Sequence, residues 1–420
     1  MPQRGTQEHT REARSGQEPP GGWYDRLVEL SGGPERFRRR VLPGIALALV
    51  AVLGLTAWAV TTRSGSDGGE GFVAVAPATT SAPTEDAAAG SDQAAAPTRA
   101  KARPAATTGA WPTGVNGGDT ISDANAFARF RGRANDVVVL FTTRDSWSSI
   151  TDPWIGDSPD KFANFPGTWS ISYPLFPDPA VGTPKSQLPQ WSADHMAACV
   201  QHQYDGYYRQ IGAWLNSQPS RANSFVRIGW EFNGDWFGWQ ATDPDTYKQC
   251  FRNEALALLS VDPHARIDWT VNAHTTLPNS THGDPFRAYP GDDVVDVIGV
   301  DTYDQYPPSP TVSAFDEQCG LPSPTPGLCT VIAFASKHRK LFSVPEWGVV
   351  GKDSGAGRAG AAGGDNPTYI AQMAAIFRQY SSMLAYEAYY NNSEPNNVRS
   401  SLANPQLQPR AARAYQSLWN

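Results

Sequence analysis

Short apolar runs alternate with segments of helical pattern between residues 110 and 420, and this alternation limits the chain to few folds. Strands alternating with helices build parallel sheets, because each helix returns the chain to the same end of the sheet. Eight runs fit strands: Trp111–Val115, Asp136–Phe141, Thr168–Tyr173, Phe225–Trp230, Arg266–Val271, Val294–Val300, Leu341–Pro345 and Leu384–Tyr390. This pattern predicts a (β/α)8 TIM barrel. The alternative is an open doubly wound sheet, but "GVNGGDTIS" after the first run is a poor phosphate-binding loop.

Helical patterns separate most of these runs. They cover Ser122–Phe130, Ser192 to about Leu215, Asp243–Leu259, Tyr369–Gln379 and Ala411–Leu418. The third of these begins with Asp243-Pro244, which joins a preferred N-cap residue to a proline at the first helical position.

The first 109 residues have a different composition. Residues 1–40 are polar and predict a cytoplasmic tail, whereas residues 41–60 are uncharged and long enough for one transmembrane helix. Several arginines directly precede residues 41–60, so the positive-inside rule places the N-terminus in the cytoplasm. Residues 110–420 would then lie outside the cell, anchored to the cell membrane. Residues 61–109, rich in Ala, Pro and Thr, predict a disordered linker. The alternative is secretion after cleavage of a signal peptide at Ala57-Trp58-Ala59.

Four cysteines in an exported chain favour two disulfides, and the sequence alone allows three pairings. Cys199 and Cys250 each lie seven residues after a predicted helix cap, so on neighbouring barrel helices they would sit at similar height. We therefore predict Cys199–Cys250, with Cys319–Cys329 closing a loop after the sixth strand.

The net charge and the histidines limit which partners and ligands are expected. A formal net charge of -7 argues against a nucleic-acid partner. His274 and His282 have no carboxylate at ligand spacing, so neither a metal site nor a cofactor is predicted. We expect a monomer.

Two glutamates come at predicted strand ends, where TIM-barrel enzymes build their active sites. Glu231 follows the fourth strand and Glu346 follows the seventh. Two carboxyls facing each other across a barrel mouth are typical of glycosidases, in which one protonates the leaving oxygen and the other attacks the sugar. The pair predicts a glycoside hydrolase acting on a polysaccharide.

Other residues at the strand ends are candidates for binding a sugar, because aromatic rings pack on sugar faces and polar groups bind hydroxyls. The candidates are Trp230, Trp236, Trp239, Asp301, Tyr303, Trp347 and Tyr390.

Three segments, "RIGWEFNGDWFGW", "VDVIGVDTYD" and "VPEWG", resemble the signature segments of family 26 glycoside hydrolases, the β-mannanase family. The resemblance covers residues 110–420. It implies a (β/α)8 barrel, retention of configuration, no metal and an endo-acting mannan-type activity. It also implies that Glu231 is the acid/base, that Glu346 is the nucleophile and that Tyr303 supports the nucleophile. Asn233 and Trp236 match cleft-forming positions of the family motif.

One position departs from that family pattern. Mannanases of the family typically have His immediately before the acid/base, whereas this chain has Trp230. The departure leaves another β-glycan open as substrate. The alternatives from other classes are a glycan-binding protein with little or no turnover, and a trimming protein in envelope or exopolysaccharide assembly.

Overall fold

A computed structural model describes residues 109–116, 118–156, 161–278, 283–355 and 361–420. The predicted tail and membrane anchor, and the linker as far as residue 108, lie outside these ranges, as does His282. Within these ranges, no helix combines the length and the apolar character needed to cross a bilayer.

Eight parallel strands close into a barrel in the order of the sequence, with β1 paired to both β2 and β8. The strands are β1 (Thr113–Asn116), β2 (Val137–Phe141), β3 (Thr168–Tyr173), β4 (Phe225–Ile228), β5 (Arg266–Asn272), β6 (Val297–Tyr303), β7 (Leu341–Gly348) and β8 (Leu384–Tyr390). The predicted TIM barrel is confirmed, and the predicted bounds of β3 and β8 match the structure. The open doubly wound alternative is wrong, because the sheet has no open edge.

Helices surround the barrel. They are α1 (Ile121–Arg131), α2 (Trp147–Thr151), α3 (Leu188–Val200), α4 (Asp205–Asn216), α5 (Pro244–Leu259), α6 (Val312–Cys319), α7 (Leu328–Lys337), α8 (Pro367–Gln379) and α9 (Pro409–Trp419). The predicted start of α5 is confirmed, since the Asp243 side chain accepts a hydrogen bond from the backbone of Asp245.

The long helix predicted from Ser192 to Leu215 is wrong. The structure has two helices here, and the chain turns between them at His202, whose φ of 63° is left-handed. Ser192 is not a cap but lies inside α3, where its buried hydroxyl donates to the carbonyl of Gln240.

The barrel interior is built in layers. One layer is apolar and contains Val137, Val139, Phe225, Val297 and Tyr386. A polar layer is centred on Asp268, which accepts hydrogen bonds from Thr270, Ser343 and Tyr386. These polar groups need room: a Cβ added at Gly299 would lie 2.4 Å from Asp268 and 2.5 Å from Thr270. Asp268 and Thr270 lie two residues apart on β5, which points both into the barrel.

One buried carboxylate, Glu387 on β8, links the first and last strands of the barrel through hydrogen bonds. Its oxygens accept hydrogen bonds from the indoles of Trp111, Trp347 and Trp419 and from the hydroxyl of Thr113. These partners belong to the barrel seam, β7 and α9, so Glu387 ties three parts of the fold together.

Both predicted disulfides are confirmed. Cys199 on α3 bonds to Cys250 on α5, and Cys319 at the end of α6 bonds to Cys329 at the start of α7. The described residues include one group with metal-ligand spacing, Cys199, Cys250 and Glu254. Because its two sulfurs are bonded to each other, this group offers a metal only one carboxylate.

Candidate active site

The backbone after β4 turns sharply to present Glu231. Gly229 and Glu231 have left-handed φ values of 53° and 51°. The backbone N–H of Glu231 donates to the carbonyl of Thr270 on β5, at 3.0 Å, which fixes the turn against the barrel. A left-handed conformation is costly for a non-glycine residue, and such strain is concentrated at functional sites.

Two side chains hold the carboxyl group of Glu231. The amide of Asn272, at the end of β5, donates to Oε1 at 2.6 Å, and the indole of Trp236 donates to Oε2 at 3.0 Å. Burial and the nearby charge of Glu346 raise the pKa of Glu231 from 4.5 to about 7, although both hydrogen bonds act to lower it. Glu231 therefore holds a proton in mildly acidic solution, as a general acid must.

Glu346 lies on β7, at a place where the strand is irregular. Ser343 points into the barrel and donates to Asp268, so strict alternation would send residue 346 outward with Val344. The register between β7 and β8 shifts between Val344 and Trp347. Irregularities of this kind re-aim side chains near active sites, and here Glu346 points inward.

Three donors from two residues hold the carboxylate of Glu346. Both terminal nitrogens of Arg227 lie 3.1 Å from Oε1. The hydroxyl of Tyr303 donates to Oε2 at 3.0 Å. Burial and the charge of Glu346 raise the pKa of Tyr303 well above its usual value, so its hydroxyl stays protonated and donates. These contacts stabilise Glu346 as an anion, the form that a nucleophile needs.

Arg227 is the cation at the centre of the site. It also pairs with Asp301 and donates to Ser172 and Thr270. Burial alone would lower the pKa of Arg227, but Asp301 and Glu346 raise it, so the guanidinium stays charged. Sequence reasoning assigned it no role in the site. The available signal was a single arginine inside the apolar run "FVRIG", since a buried charge has to be paired.

Asn272 was also missing from the candidates, although it ends β5. The signal was its place on the inward face of β5, two and four residues after Thr270 and Asp268.

Three of the four candidate tryptophans lie in the protein interior. Trp230 packs against Phe141, Phe237 and Trp239 at centroid distances of 5.5, 5.0 and 4.8 Å. Trp239 is fully buried and donates to the carbonyl of Trp230. Trp347 is also fully buried and points away from the barrel mouth toward Glu387. The structure therefore places the rings of Trp239 and Trp347 where they cannot contact a sugar.

Trp236 is different. The residue is 38% exposed, although its indole N–H donates to Glu231. It is thus the candidate tryptophan that combines exposed surface with a contact to a candidate catalytic carboxyl.

The remaining candidates either support other residues of the site or lie beside the cleft. Asn233 is buried and binds both the backbone N–H and the carbonyl of Asn272, so it positions the amide that contacts Glu231. Asp301 is buried against Arg227 rather than facing solvent. Tyr390 is half-buried and packs edge-on against Tyr303, with ring centroids 5.9 Å apart.

Two cavities are connected to the acids by side-chain contacts. The first, which we call the polar cavity, has a volume of about 670 Å³ and lies at the ends of β1, β2 and β8; it includes Tyr390 in its lining. The second, the aromatic cavity, has a volume of about 970 Å³ and is lined by Trp147, Trp191 and Trp236 among others. Both share residues 141–143.

Neither cavity is lined by Glu231 or Glu346 themselves. The aromatic cavity connects to Glu231 through Trp236, and the polar cavity connects to Glu346 through Tyr390 and Tyr303. Each acid is therefore separated from its cavity by one or two side chains, and the two cavities meet at residues 141–143.

Comparison with known proteins gives one family match. Residues 183–321 match the model of the family described as "Glycosyl hydrolase family 26". The matched segment contains Glu231, Asp301 and Tyr303, and it ends before Glu346.

The chain is also similar to solved structures. With the modular endo-β-1,4-mannanase of Cellulomonas fimi it shares 16% identity over 70% of this chain, with a TM-score of 0.48. The match spans 65% of the length of that enzyme. With the catalytic domain of the family 26 endo-β-1,4-mannanase of Bacillus sp. JAMB-750 it shares 15% identity over 74% of this chain and 85% of that chain, with a TM-score of 0.47.

Proposed function

We propose that this protein is a family 26 glycoside hydrolase that cleaves internal β-linkages of a polysaccharide with retention of configuration. The observation that carries the proposal is the unequal carboxyl pair at the barrel mouth. Glu231 has a pKa raised to about 7, while Glu346 is held as an anion by Arg227 and Tyr303. A carboxyl that keeps its proton is suited to be the acid, and a carboxylate paired with a cation is suited to be the nucleophile. The family match over residues 183–321 supports the same activity.

In the first step, Glu346 attacks the anomeric carbon while Glu231 gives its proton to the glycosidic oxygen. The bond between that carbon and oxygen breaks, the leaving sugar departs with the proton, and a glycosyl ester forms on Glu346. Retaining enzymes hold the two carboxyls about 5 to 5.5 Å apart for this displacement. The electrostatic effect of Glu346 on the pKa of Glu231 supports such proximity.

In the second step, Glu231 acts as a base. Its carboxylate accepts a proton from water, the water oxygen bonds to the anomeric carbon, and the ester to Glu346 breaks. Two displacements at one carbon restore its original configuration. Arg227 and Tyr303 stabilise the carboxylate of Glu346 at the start and at the end of the cycle.

The two cavities support cleavage within a chain. The sugar attacked by Glu346 would extend into the polar cavity, and the leaving sugar would extend past Trp236 into the aromatic cavity. Exposed rings in the aromatic cavity suit the C–H faces of sugar rings. A site with room on both sides of the acids fits a polymer rather than a terminal residue.

A β-mannan is the leading substrate within this proposal, on the strength of the resemblance of the three motif segments to β-mannanases. Trp230 occupies the place of the usual histidine and packs against Phe141, and its indole offers a sugar no ring acceptor. Sugar recognition at this position therefore differs from the family pattern, and the test includes other β-glycans.

The test is release of new reducing ends from mannan, glucomannan, xylan, mixed-linkage glucan and the envelope glycans of the host by the full-length protein. Glu346→Gln and Glu231→Gln should each lower the rate by at least about 10³-fold on the cleaved glycan. Glu317→Gln is the matched control, because Glu317 is an exposed carboxylate on α6 and should leave the rate unchanged.

Unchanged cleavage by either active-site variant would refute the assignment of the acids. Binding of a glycan without cleavage of any would instead favour a glycan-binding protein. Cleavage of envelope polymers alone would favour the trimming role.

We also propose that residues 41–60 anchor a monomeric enzyme with the barrel outside the cell. Two disulfides support an oxidising compartment. Protease added to intact cells should remove the barrel and leave the cytoplasmic tail. Protection of the barrel from the protease would contradict this arrangement. Release of the barrel into the medium without protease would favour a cleaved signal peptide.

A further inference from the structure

The polar cavity lies on the nucleophile side of the site. It is formed where β1, β2 and β8 end, and Tyr390 in its lining packs on Tyr303, which binds Glu346. If the proposed function holds, on which this inference rests, the cavity receives the sugars on the glycone side of the cleaved bond. The chemistry of its lining then bears on which sugars the enzyme accepts.

One buried polar group in this cavity is unsatisfied. Asn116 ends β1, is only 4% exposed and lines the cavity. Its side-chain amide nitrogen has no hydrogen-bond partner in the part of the chain that the structure describes. Buried amides are nearly always hydrogen-bonded, so an orphaned one beside a cavity points to a ligand that supplies an acceptor. A sugar hydroxyl is such an acceptor.

The charged groups of the cavity all have the same sign. Asp119, Asp123 and Glu394 line it, and its described lining contains no lysine, arginine or histidine. One cation approaches this lining from outside: Lys161 lies 4.6 Å above the ring of Trp154, a lining residue, and offsets part of the negative charge. Arg399 pairs with Asp353 at 3.0 Å.

The aromatic cavity differs from the polar cavity in the charges of its lining. Its lining contains the cations Arg144 and Lys185. Arg144 pairs with Asp178 at 3.0 Å, and Lys185 pairs with Asp235 at 3.2 Å. The same lining contains the acids Asp145 and Asp178, so its two cations are matched by two acids. The described lining of the polar cavity has three acids and no cation, so the excess of acids is specific to the polar cavity among these two.

We propose that the polar cavity selects glycone sugars by charge: it binds a hexosamine carrying a free, protonated amine in preference to its N-acetyl form, and it excludes uronic acids. An ammonium group would be attracted to the three carboxylates, whereas a uronate would be repelled by them and would find no cation among the described lining residues. Asn116 would bind a hydroxyl or ring oxygen of the same sugar.

The test is binding by calorimetry to the full-length Glu346→Gln variant, which keeps the cavity but removes turnover. The probes are two matched pairs of β-1,4-linked tetrasaccharides, glucosamine against N-acetylglucosamine and mannose against mannuronate. We expect the glucosamine chain to bind about tenfold more tightly than its N-acetyl partner, and mannuronate about tenfold more weakly than mannose, since each exposed charge pair contributes a few-fold. Both ratios should shrink at high salt.

A double variant identifies the groups responsible. Asp119→Asn combined with Glu394→Gln should bring both ratios to within about threefold of one. Asp316→Asn combined with Glu317→Gln is the control, because it removes two exposed carboxylates from α6 and should leave both ratios unchanged. Ratios near one in the parent, ratios that survive the double variant, or no binding of any tetrasaccharide would overturn the inference.

Failure of this inference can be separated from failure of the proposed function. Cleavage of a glycan by the wild-type protein without charge discrimination in binding would refute only the charge selection. Charge discrimination without cleavage of any glycan would refute only the hydrolase.

Discussion

Arg227 donates to Glu346 with both of its terminal nitrogens, each 3.1 Å from the same carboxylate oxygen, and also pairs with Asp301. All three groups are buried. One cation therefore stabilises two carboxylates in the barrel interior, and one of them is the proposed nucleophile.

We expect Arg227→Met to lower kcat/KM by at least about 10²-fold and to destabilise the fold by about 3 to 5 kcal/mol, because it leaves buried carboxylates without a cation. Denaturant unfolding and steady-state kinetics measure the two effects. Arg252→Met is the control, since Arg252 pairs with the exposed Asp293 at 2.7 Å and should matter little. Comparable losses in the two variants would contradict the central role of Arg227.

The fall of activity at high pH should report the ionisation of Glu231. Its pKa of about 7 predicts that kcat/KM falls above about pH 7, as the acid loses its proton. Because the charge of Glu346 helps to raise this pKa, Glu346→Gln should lower it toward 4.5. Carbon NMR of labelled glutamate in the two proteins measures the change, and an unchanged titration of Glu231 would show that the two carboxyls do not interact.

Glu231 should also make stability depend on pH. Its pKa is raised from 4.5 to about 7 in the fold, so the folded protein keeps a proton that the unfolded chain releases, and stability falls as the pH rises through this window. Above pH 7 the loss is about 3 kcal/mol, since one pKa unit corresponds to about 1.4 kcal/mol. Glu231→Gln should therefore be more stable than the wild type at pH 8 and equal to it at pH 4. A gain of the same size at both pH values would contradict the linkage.

Trp236 should tune the acid as well as contact the substrate. Its indole hydrogen bond favours the charged form of Glu231, so Trp236→Phe should raise the pKa and move the basic limb of the profile to higher pH. Trp191→Phe is the control in the same cavity, because its indole binds the carbonyl of Pro177 instead. That variant should change KM and leave the pH profile in place; equal profiles in all three proteins would refute the tuning.

Much of the fold follows from local sequence. Alternating periodicities predict the barrel, and the Asp243-Pro244 pair predicts the start of α5. The break between α3 and α4 could not be predicted, because His202 adopts the left-handed conformation where neither glycine nor proline signals a turn.

The sequence predicts the parts of the candidate site that depend on where strands end. It does not predict the parts that depend on which way a side chain points. Glu231 and Glu346 follow from their positions after strands. Glu346 and Trp347 point to opposite sides of β7, with Trp347 outward. Strict alternation counted from Ser343 would give the opposite directions, so the irregularity in β7 decides both, and the sequence does not show it. The pairing of Arg227 with Glu346 joins residues 119 positions apart and needs the closed barrel to become visible.

The indole groups around Glu387 have a consequence for how the protein is made. Trp111 and Thr113 contact Glu387 across 276 and 274 residues of sequence, and Trp419 on α9 completes the set. During synthesis β1 can pair with β2 early, but nearly the whole barrel has to leave the ribosome before its second partner, β8, is available. Until then β1 presents an unpaired strand edge, the kind of surface that recruits other chains. The nascent protein should depend on chaperones for longest at the strand that is translated first.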